Sequence, residues 1–258
     1  MRVLVCVKRV PAPGARINIT DDGQDVDSAH LGFTVSPHEE CGIEEAVQLV
    51  ERHGGEATVL TLGGEESVEQ LRYAASLGVQ NAVLLQSDGM PWDPQRTASA
   101  ITGAITALEE ASGPFDLILF GNESADSGGF QVGVRVANKL GRPMVNAIKG
   151  IELDPDAGSV VARREIDGGR EVYEMPTPAV LGVKEGINLP RYPTMKGRLA
   201  SKKVEINIID ATGEAGGMSR VSLLQPPEQE SNTVTLGEGP DAAGAIVDLL
   251  DELGVLQP

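Results

Sequence analysis

The sequence predicts a doubly wound α/β fold around a mostly parallel sheet. Short, continuous apolar runs, typical of strands buried on both faces, alternate with helical stretches of about ten or more residues between residues 2 and 141. Connections of that length allow right-handed crossovers, which place successive strands parallel. Aromatic residues make up only 3% of the chain, which fits small-residue helices packed on a sheet and argues against a β-sandwich.

The elements of this α/β unit can be placed from their patterns. The run "RVLVCVK" at residues 2–8 predicts a central strand, and the proline- and glycine-rich stretch after it predicts a loop with a β-hairpin. A helix over residues 39–53 has Ile43 and Val47 on one face, and Gly54 ends it. Further strands are predicted at 57–63, 81–87 and 115–121, and further helices at 67–78, 97–113 and 128–141.

The second half of the chain has a different sequence pattern. The turns "DPDAG" and "DGG" between β-branched runs predict antiparallel ribbons, and "PAVLGV" predicts another buried strand. Residues 187–209 carry two prolines, a glycine and five basic residues in an acidic protein, which predicts an exposed functional loop, with a solvated turn as the alternative. A polar start and a helix at 241–253 are typical of an arm that packs on another subunit. We therefore predict an α/β domain, residues 1–224, and a C-terminal arm, residues 225–258.

Composition excludes several classes of protein. The formal net charge of −17 argues against binding to nucleic acid, whose phosphates require a basic surface. No apolar run approaches the roughly 20 residues that span a bilayer, and the N-terminus lacks a signal-peptide cleavage pattern. Cys6 and Cys41 lack Cys-x-x-Cys spacing and lie in apolar or helical contexts, so we expect packing thiols. A cytoplasmic protein without direct membrane insertion is expected.

The candidate ligand site lies where several predicted strands end. In an open parallel sheet, the ligand crevice is found at the carboxyl ends of the strands, where the strand order reverses. Lys8 and Arg9 follow the first strand, Gly63 and Gly64 follow the second, and "GNESADSGGFQVG" at residues 121–133 follows the fourth. Backbone N–H groups of such a glycine-rich turn before a helix can hold a phosphate group.

The same stretch also permits a purely structural interpretation. Ser124, Asp126 and Ser127 are good N-cap residues that can accept from the free N–H groups of the helix containing Gln131. The stretch matches neither the Walker pattern nor a complete G-x-G-x-x-G motif. Its residues alone therefore leave phosphate binding and helix capping both open.

No catalytic residue and no metal site are predicted. His30, His38 and His53 show no ligand spacing, and G-x-S-x-G is absent. Of the three histidines, only His38 lies near the expected crevice. The pair Glu44–Glu45 falls on a helix face and is expected to be solvated.

Five stretches, in order along the chain, resemble the beta subunit of electron-transfer flavoprotein (FixA type). They are "VLVCVKRVP" near the N-terminus, "SPHEECGIEEAV", "GNESADSGGFQVG" followed by "ANKLGRP", "REIDGGREVYEMPTPAVLGV" and "INLPRYPTMKGRLASKK". Together they extend to residue 203. Each stretch alone would be a weak signal, but their common order makes the resemblance specific.

This resemblance implies an electron carrier without substrate turnover of its own. Members of the family form a heterodimer with an alpha subunit, which holds most of the redox FAD. They accept electrons from acyl-CoA dehydrogenases of fatty acid beta-oxidation and deliver them to the respiratory chain. The beta subunit has a Rossmann-like fold of the adenine-nucleotide alpha-hydrolase type and usually holds a structural AMP. In electron-bifurcating relatives a second FAD takes the place of the AMP.

The resemblance also implies which residues contact the AMP or FAD. They are Cys6, Ser36, Pro37, His38, Glu39, Leu62, Gly121, Asn122, Glu123, Ser124, Ala125, Asp126, Ser127, Gly128, Gly129, Phe130, Gln131 and Val132. Two departures leave the choice of nucleotide open. Ala12 stands where the family often has Asp, and residues 36–39 read Ser-Pro-His-Glu where the family often has Asn-Pro with a following Asp.

For residues 186–203, the resemblance implies a recognition loop that docks on acyl-CoA dehydrogenases or related flavin dehydrogenases. Met195 aligns with the residue that anchors this loop in a pocket of the partner. A flexible thioether suits a surface that fits several partners, and Lys196 and Arg198 are expected to steer an acidic partner.

Two alternatives stay open at this stage. An electron-bifurcating form would bind a second FAD and take electrons from NADH. A stand-alone ATP-binding module of the stress-protein type would share the architecture, but it would leave residues 186–203 without a task.

Overall fold

The computed structural model describes residues 1–227 and 233–256. The strands are β1 (Arg2–Val7), β2 (Val10–Pro11), β3 (Phe33–Thr34), β4 (Glu56–Gly63), β5 (Asn81–Gln86), β6 (Leu117–Gly121), β7 (Met144–Asp154), β8 (Ser159–Ile166), β9 (Gly169–Pro176), β10 (Ala179–Val183) and β11 (Ile206–Asp210). The α-helices are α1 (Pro37–His53), α2 (Val68–Leu77), α3 (Pro94–Ser112), α4 (Val132–Leu140), α5 (Met195–Ser201) and α6 (Ala243–Glu252). Short 3₁₀ helices occupy Glu65–Ser67 and Gly239–Ala242.

One large sheet organises the described residues. Its spatial strand order is β11, β5, β4, β1, β6, β10, β7, β8 and β9. Neighbours from β11 to β7 are parallel, whereas β7, β8 and β9 form an antiparallel ribbon at one edge. The predicted doubly wound, mostly parallel sheet with antiparallel additions is thus confirmed. The chain leaves β1 towards β4 and β5 and returns to the other side of β1 with β6, so the strand order reverses at β1.

Helices cover both faces of this sheet. Val3 and Val5 of β1 are fully buried in the core beneath α1 and α2, whereas Leu4 and Cys6 are buried in the core beneath α3 and α4. Alternate residues of one strand therefore enter two cores, which explains why the strand is a continuous apolar run. Cys6 and Cys41 are both buried and free, as the sequence predicts.

The first helix begins two residues before its predicted start. Ser36 accepts a hydrogen bond from the N–H of Glu39 at 3.3 Å, and Pro37 occupies the first helical position, where its missing N–H costs nothing. The helix ends as predicted, because the N–H of Gly54 donates to the carbonyl of Val50 at 2.8 Å. Capping thus sets both ends of α1 and places its N-terminus at the edge where β1 ends.

Two regions depart from their predicted structure. The sequence predicts no strand over 206–210, but β11 pairs in parallel with β5 and packs Ile206 and Ile209 against opposite cores. The predicted basic loop also contains the short helix α5. In the C-terminal arm, α6 agrees with the predicted helix, while residues 228–232 and 257–258 lie outside the described residues. No described helix is long and apolar enough to cross a membrane.

Candidate functional site

Glu39 joins the first turn of α1 to the end of β1. Its buried carboxylate accepts hydrogen bonds from the N–H of Ser36 at 3.1 Å and from the N–H of Lys8 at 2.9 Å. The Ser36 hydroxyl accepts from the N–H of Glu39 in return, which completes a capping box. Burial raises the pKa of Glu39 to about 7, although the bonds from Ser36 and Lys8 favour the carboxylate.

Strand β6 ends beside this carboxylate. A Cβ on Gly121 would lie 2.8 Å from Cγ of Glu39 and 3.4 Å from Cβ of His38. A glycine at this position therefore allows β6 to approach the start of α1. The segments after β1, before α1 and after β6 meet at one edge, as the strand-end rule predicts.

Residues 121–131 fold around the carboxylate of Asp126. The Nζ atom of Lys8 donates to Oδ2 of Asp126 at 2.7 Å and to Oγ of Ser124 at 3.2 Å. The Ser127 hydroxyl donates to Oδ1 of Asp126 at 3.2 Å. Burial acts to raise the pKa of Asp126, but the hydrogen bonds from Lys8 and Ser124 hold it below its ordinary value.

The capping interpretation of this loop is wrong. Helix α4 begins at Val132, and its N-cap residue Gln131 makes no side-chain capping bond. Ser124, Asp126 and Ser127 bind one another and the lysine after β1 instead. The first N–H groups of α4 therefore have no side-chain cap, and they can donate to an anionic group of a ligand.

His38 links the crevice to the end of β10. Its Nδ1 atom accepts a hydrogen bond from the N–H of Glu185 at 2.9 Å, which places the proton of the neutral ring on Nε2. The Nε2 atom lies 3.7 Å from Oε1 of Glu123. Glu185 is not among the site residues predicted from the sequence. Because β10 is parallel to β6 and ends at the same edge, the strand-end rule could have identified it.

Two polar atoms at this edge are buried without a partner in the described part of the chain. The Oδ1 atom of Asn122 accepts no hydrogen bond, although the N–H of Asn122 donates to the carbonyl of Val183 at 2.8 Å. The Nε atom of Arg9 donates none, and its guanidinium lies 3.4 Å from the centre of the Phe33 ring. Unsatisfied buried atoms cost free energy, so this acceptor after β6 and this donor after β1 are each candidates to bind a polar group of a ligand.

The other residues assigned from the resemblance follow the same strand ends. Ala125, Gly128 and Gly129 belong to the loop after β6, in which Phe130 is exposed. The side chains of Cys6 and Leu62 instead pack in or against the core beneath α3 and α4. Burial, and secondarily the charge of Glu39, raises the pKa of the Cys6 thiol, which therefore stays neutral. No group of three or more His, Cys, Asp or Glu among the described residues could hold a metal ion.

A second surface is formed by residues 186–203, which we call the docking segment. Its apolar side chains Tyr192 and Met195 are 92% and 75% exposed, and Leu189 and Leu199 are exposed as well. Thr194 caps α5 by accepting from the N–H of Gly197 at 3.0 Å. Lys196 and Arg198 lie on α5 and are exposed. A shallow groove of about 330 Å³ is lined by residues of α5 and of the end of α2.

The expectation that Glu44 and Glu45 are solvated is wrong. Both side chains are buried, at 3% and 6% exposed. Glu44 binds Arg191 of the docking segment at 2.9 Å, and Glu45 accepts from Nδ2 of Asn188 at 3.0 Å. A helix face that looks solvated in the sequence is therefore covered by the docking segment.

This fold and this edge define a Rossmann-like α/β protein in which the uncapped N-terminus of α4 lies beside the ends of the parallel strands. The electron transfer flavoprotein domain family matches residues 26–213 of the chain. The chain is 32% identical over 240 residues to the electron transfer flavoprotein subunit beta of Bacillus subtilis, covering 90% of this chain and 88% of the relative. The subunit beta of Mycobacterium tuberculosis H37Rv is 33% identical over 255 residues, covering 92% and 94%. That of Syntrophomonas wolfei is 34% identical over 227 residues, covering 87% and 84%. The chain belongs to the family of electron transfer flavoprotein beta subunits.

Proposed function

We propose that this chain is the beta subunit of a heterodimeric electron carrier and binds AMP as a structural nucleotide. The observation that carries this proposal is the crevice at the ends of β1, β6 and β10, where the N-terminus of α4 has no side-chain cap and Oδ1 of Asn122 is buried without a partner. Anionic and donor groups of a nucleotide would satisfy both.

Each part of the nucleotide has suitable protein groups at this edge. The N–H groups at the start of α4 would hold the phosphate, and Lys8 would add positive charge nearby. The Oδ1 atom of Asn122 would accept a hydrogen bond from an amino or hydroxyl group. The exposed ring of Phe130 would pack against the base. These groups supply binding contacts, so the nucleotide would have a structural role.

The electrons would pass through FAD, which the alpha subunit would hold for the most part. FAD supplies the one- and two-electron chemistry when bound, and this chain contributes binding surfaces. We propose that residues 225–258 form an arm on the alpha subunit. Helix α6 supports this, because none of its residues is buried in the single chain and it exposes Ile246, Val247 and Leu249.

The docking segment would bind acyl-CoA dehydrogenases or related flavin dehydrogenases, whose electrons the protein would deliver to the respiratory chain. Its exposed apolar residues provide an anchor, and Lys196 and Arg198 provide local positive charge on a chain of net charge −17. A protein that serves soluble dehydrogenases of fatty acid oxidation would work in the cytoplasm.

A second candidate is the electron-bifurcating form, with a second FAD in the crevice. A groove of about 420 Å³ adjoins Asp126, and the additional part of the larger nucleotide would extend into it. It is lined by Ile17, Ile19, Val26, Asp126, Leu223, Leu224, Gln225 and Pro226.

Co-expression with the alpha subunit encoded in the same organism tests both candidates. We expect a heterodimer that releases one FAD and one AMP on acid denaturation, separated and quantified by chromatography. Two FAD per heterodimer, no AMP and reduction by NADH would establish the bifurcating form instead. A homodimer or monomer that binds and hydrolyses ATP without an alpha subunit would overturn the proposal in favour of a stand-alone nucleotide-binding module.

A further inference from the structure

Arg191 of the docking segment donates hydrogen bonds to two carboxylates of α1. Its Nε and Nη2 atoms donate to Glu44 at 2.9 and 3.0 Å, and its Nη1 and Nη2 atoms donate to Glu51 at 2.7 and 2.9 Å. The backbone N–H of Arg191 also donates to Oε2 of Glu44 at 3.2 Å. Because Glu44 and Glu51 are two helical turns apart, they lie on one face of α1 and hold the guanidinium between them.

The burial of Glu44 makes the loss of Arg191 costly, because it would leave a buried carboxylate without its charged partner. Burial acts to raise the pKa of Glu44, yet the hydrogen bonds from Arg191 and Gln48 hold it below its ordinary value. Glu44 is therefore charged in a site where an unpaired carboxylate would be strongly unfavourable. A lysine has one compact ammonium group and could not reproduce the paired donors of the arginine fork.

The rest of the docking segment is also fixed to the body of the domain. Asn188 donates from Nδ2 to the carbonyl of Cys41 at 3.0 Å, and Arg72 of α2 donates to the carbonyls of Ser201 and Val204. A Cβ on Gly197 would lie 2.2 Å from the carbonyl oxygen of Ser76, so α5 packs directly on the end of α2. The exposed side chains are thus presented on a backbone held at both ends.

We infer that Arg191 is a positioning residue, which with Glu44 and Glu51 holds the docking segment in the conformation that presents Tyr192 and Met195 to a partner dehydrogenase. This inference rests on the proposed docking function. Ordering a loop on association costs free energy, so a segment already fixed binds its partner more tightly than a mobile one with the same contacts. Arg191 acts through the backbone that it holds and needs no contact with the partner.

The test uses the co-expressed heterodimer and a purified acyl-CoA dehydrogenase that reduces the wild-type protein. Arg191→Gln removes the ion pairs with both Glu44 and Glu51. Glu51→Gln removes only the half-exposed ion pair between Arg191 and Glu51. It leaves no buried charge unpaired, so it provides a milder second variant. The matched control is Arg163→Gln, which breaks an arginine–glutamate pair with Glu152 on the β7–β8 ribbon. Two quantities are measured: the KM for the heterodimer as electron acceptor, and hydrogen–deuterium exchange of residues 186–201.

For Arg191→Gln we expect faster amide exchange in residues 186–201 and a KM raised about tenfold, with kcat kept within about twofold. Glu51→Gln should shift both quantities less in the same direction, and Arg163→Gln should shift neither. If Met195→Ala slows reduction but Arg191→Gln and Glu51→Gln both keep the wild-type KM and exchange rates, the positioning role of Arg191 is wrong. The proposed docking function of residues 186–203 is then still supported. If Met195→Ala has no effect on reduction either, the docking function itself is wrong, and the role of Arg191 falls with it.

Discussion

The ammonium group of Lys8 lies 2.7 Å from the carboxylate of Asp126, so an ion pair joins the residue that follows β1 to the loop that follows β6. The two side chains are 46% and 27% exposed, which limits the free energy of the pair to that of a surface contact. Its importance lies in its position, because it closes the loop that leads into α4, whose first N–H groups we assign to the nucleotide.

Replacing Lys8 by Met should weaken nucleotide retention by about two- to fivefold, the range that a partly exposed ion pair supports. The expected cause is a looser loop after β6 and the loss of a positive charge near the phosphate. AMP content after dialysis, compared with that of Lys139→Met on the exposed surface of α4, measures the effect. The difference from wild type should shrink at high salt, which screens exposed charges. Equal AMP retention in both lysine variants at low salt would contradict the assignment.

An added side chain should lower stability at Gly121 and nucleotide binding at Gly129, two glycines at the same edge. Gly121→Ala forces a Cβ within 2.8 Å of Glu39, so we expect a lower melting temperature with or without nucleotide. A Cβ at Gly129 meets nothing closer than 3.5 Å, so Gly129→Leu should leave the fold stable and release the nucleotide. Melting temperature and AMP content, measured on both heterodimers, separate the effects. A Gly129→Leu protein with full nucleotide content would place the nucleotide elsewhere.

The fold could be predicted from the sequence because strands buried on both faces leave an unmistakable signal. Each of residues 3–7 in β1 enters one of two cores, so the strand is a continuous apolar run that no amphipathic helix would show. Edge strand β11 gives no such signal, because Ile208 is exposed and its run is short. The meeting of residues 36–39 with the loop after β6 followed from the sheet rule alone.

The errors in the candidate site have a different cause. Ser124 and Asp126 are residue types that commonly cap helices. Here they bind the side chain of Lys8, which is 118 residues away from Asp126 in the sequence. Glu44 looks solvated on its helix until Arg191, 147 residues further along, covers it. Local patterns assign such residues by their nearest neighbours in the chain. Partners that the fold supplies can reverse the result.

Glu39 should make the folded protein less stable as the pH rises from 4.5 to 7. Its pKa is raised from 4.5 to about 7, so between these values the folded protein holds a proton that the unfolded chain releases. The free energy of unfolding that Glu39 contributes therefore falls as the pH rises through this window, by up to about 3 kcal/mol. Glutamine does not titrate, so wild type should lose stability relative to Glu39→Gln between pH 4.5 and 7.

Melting temperatures at pH 5 and pH 7.5 measure this difference. Glu152→Gln, on an exposed pair, serves as the control. The pKa of Glu152 is lowered by Arg163, so this residue stays ionised throughout the window and should add no pH dependence to the comparison. A constant difference between wild type and Glu39→Gln across the window would mean that Glu39 is ionised in the fold, held by the N–H groups of Ser36 and Lys8.

Met195 should contribute to partner binding and to nothing else. We expect Met195→Ala to keep its flavin and AMP and to lower kcat/KM for reduction by an acyl-CoA dehydrogenase about tenfold, the loss typical of an interface anchor. The control is Met90→Ala, since Met90 is also an exposed methionine, at 57%, but lies in the loop after β5. Stopped-flow reduction of the flavin gives both rates. Equal rates for the two variants would remove the docking assignment from Met195.

Helix α6 should be an element of the heterodimer interface. It exposes Ile246 and Val247 and buries none of its residues in the single chain, so its apolar side chains lack a cover among the described residues. Val247→Asp introduces a charge where the alpha subunit would pack, and we expect the heterodimer to dissociate at micromolar concentration with its FAD released. Asp248→Asn, on the same helix, should leave assembly intact. Size-exclusion chromatography with absorbance at the flavin band reports both results. An intact, yellow Val247→Asp heterodimer would show that α6 is not covered by the alpha subunit and that the arm has another role.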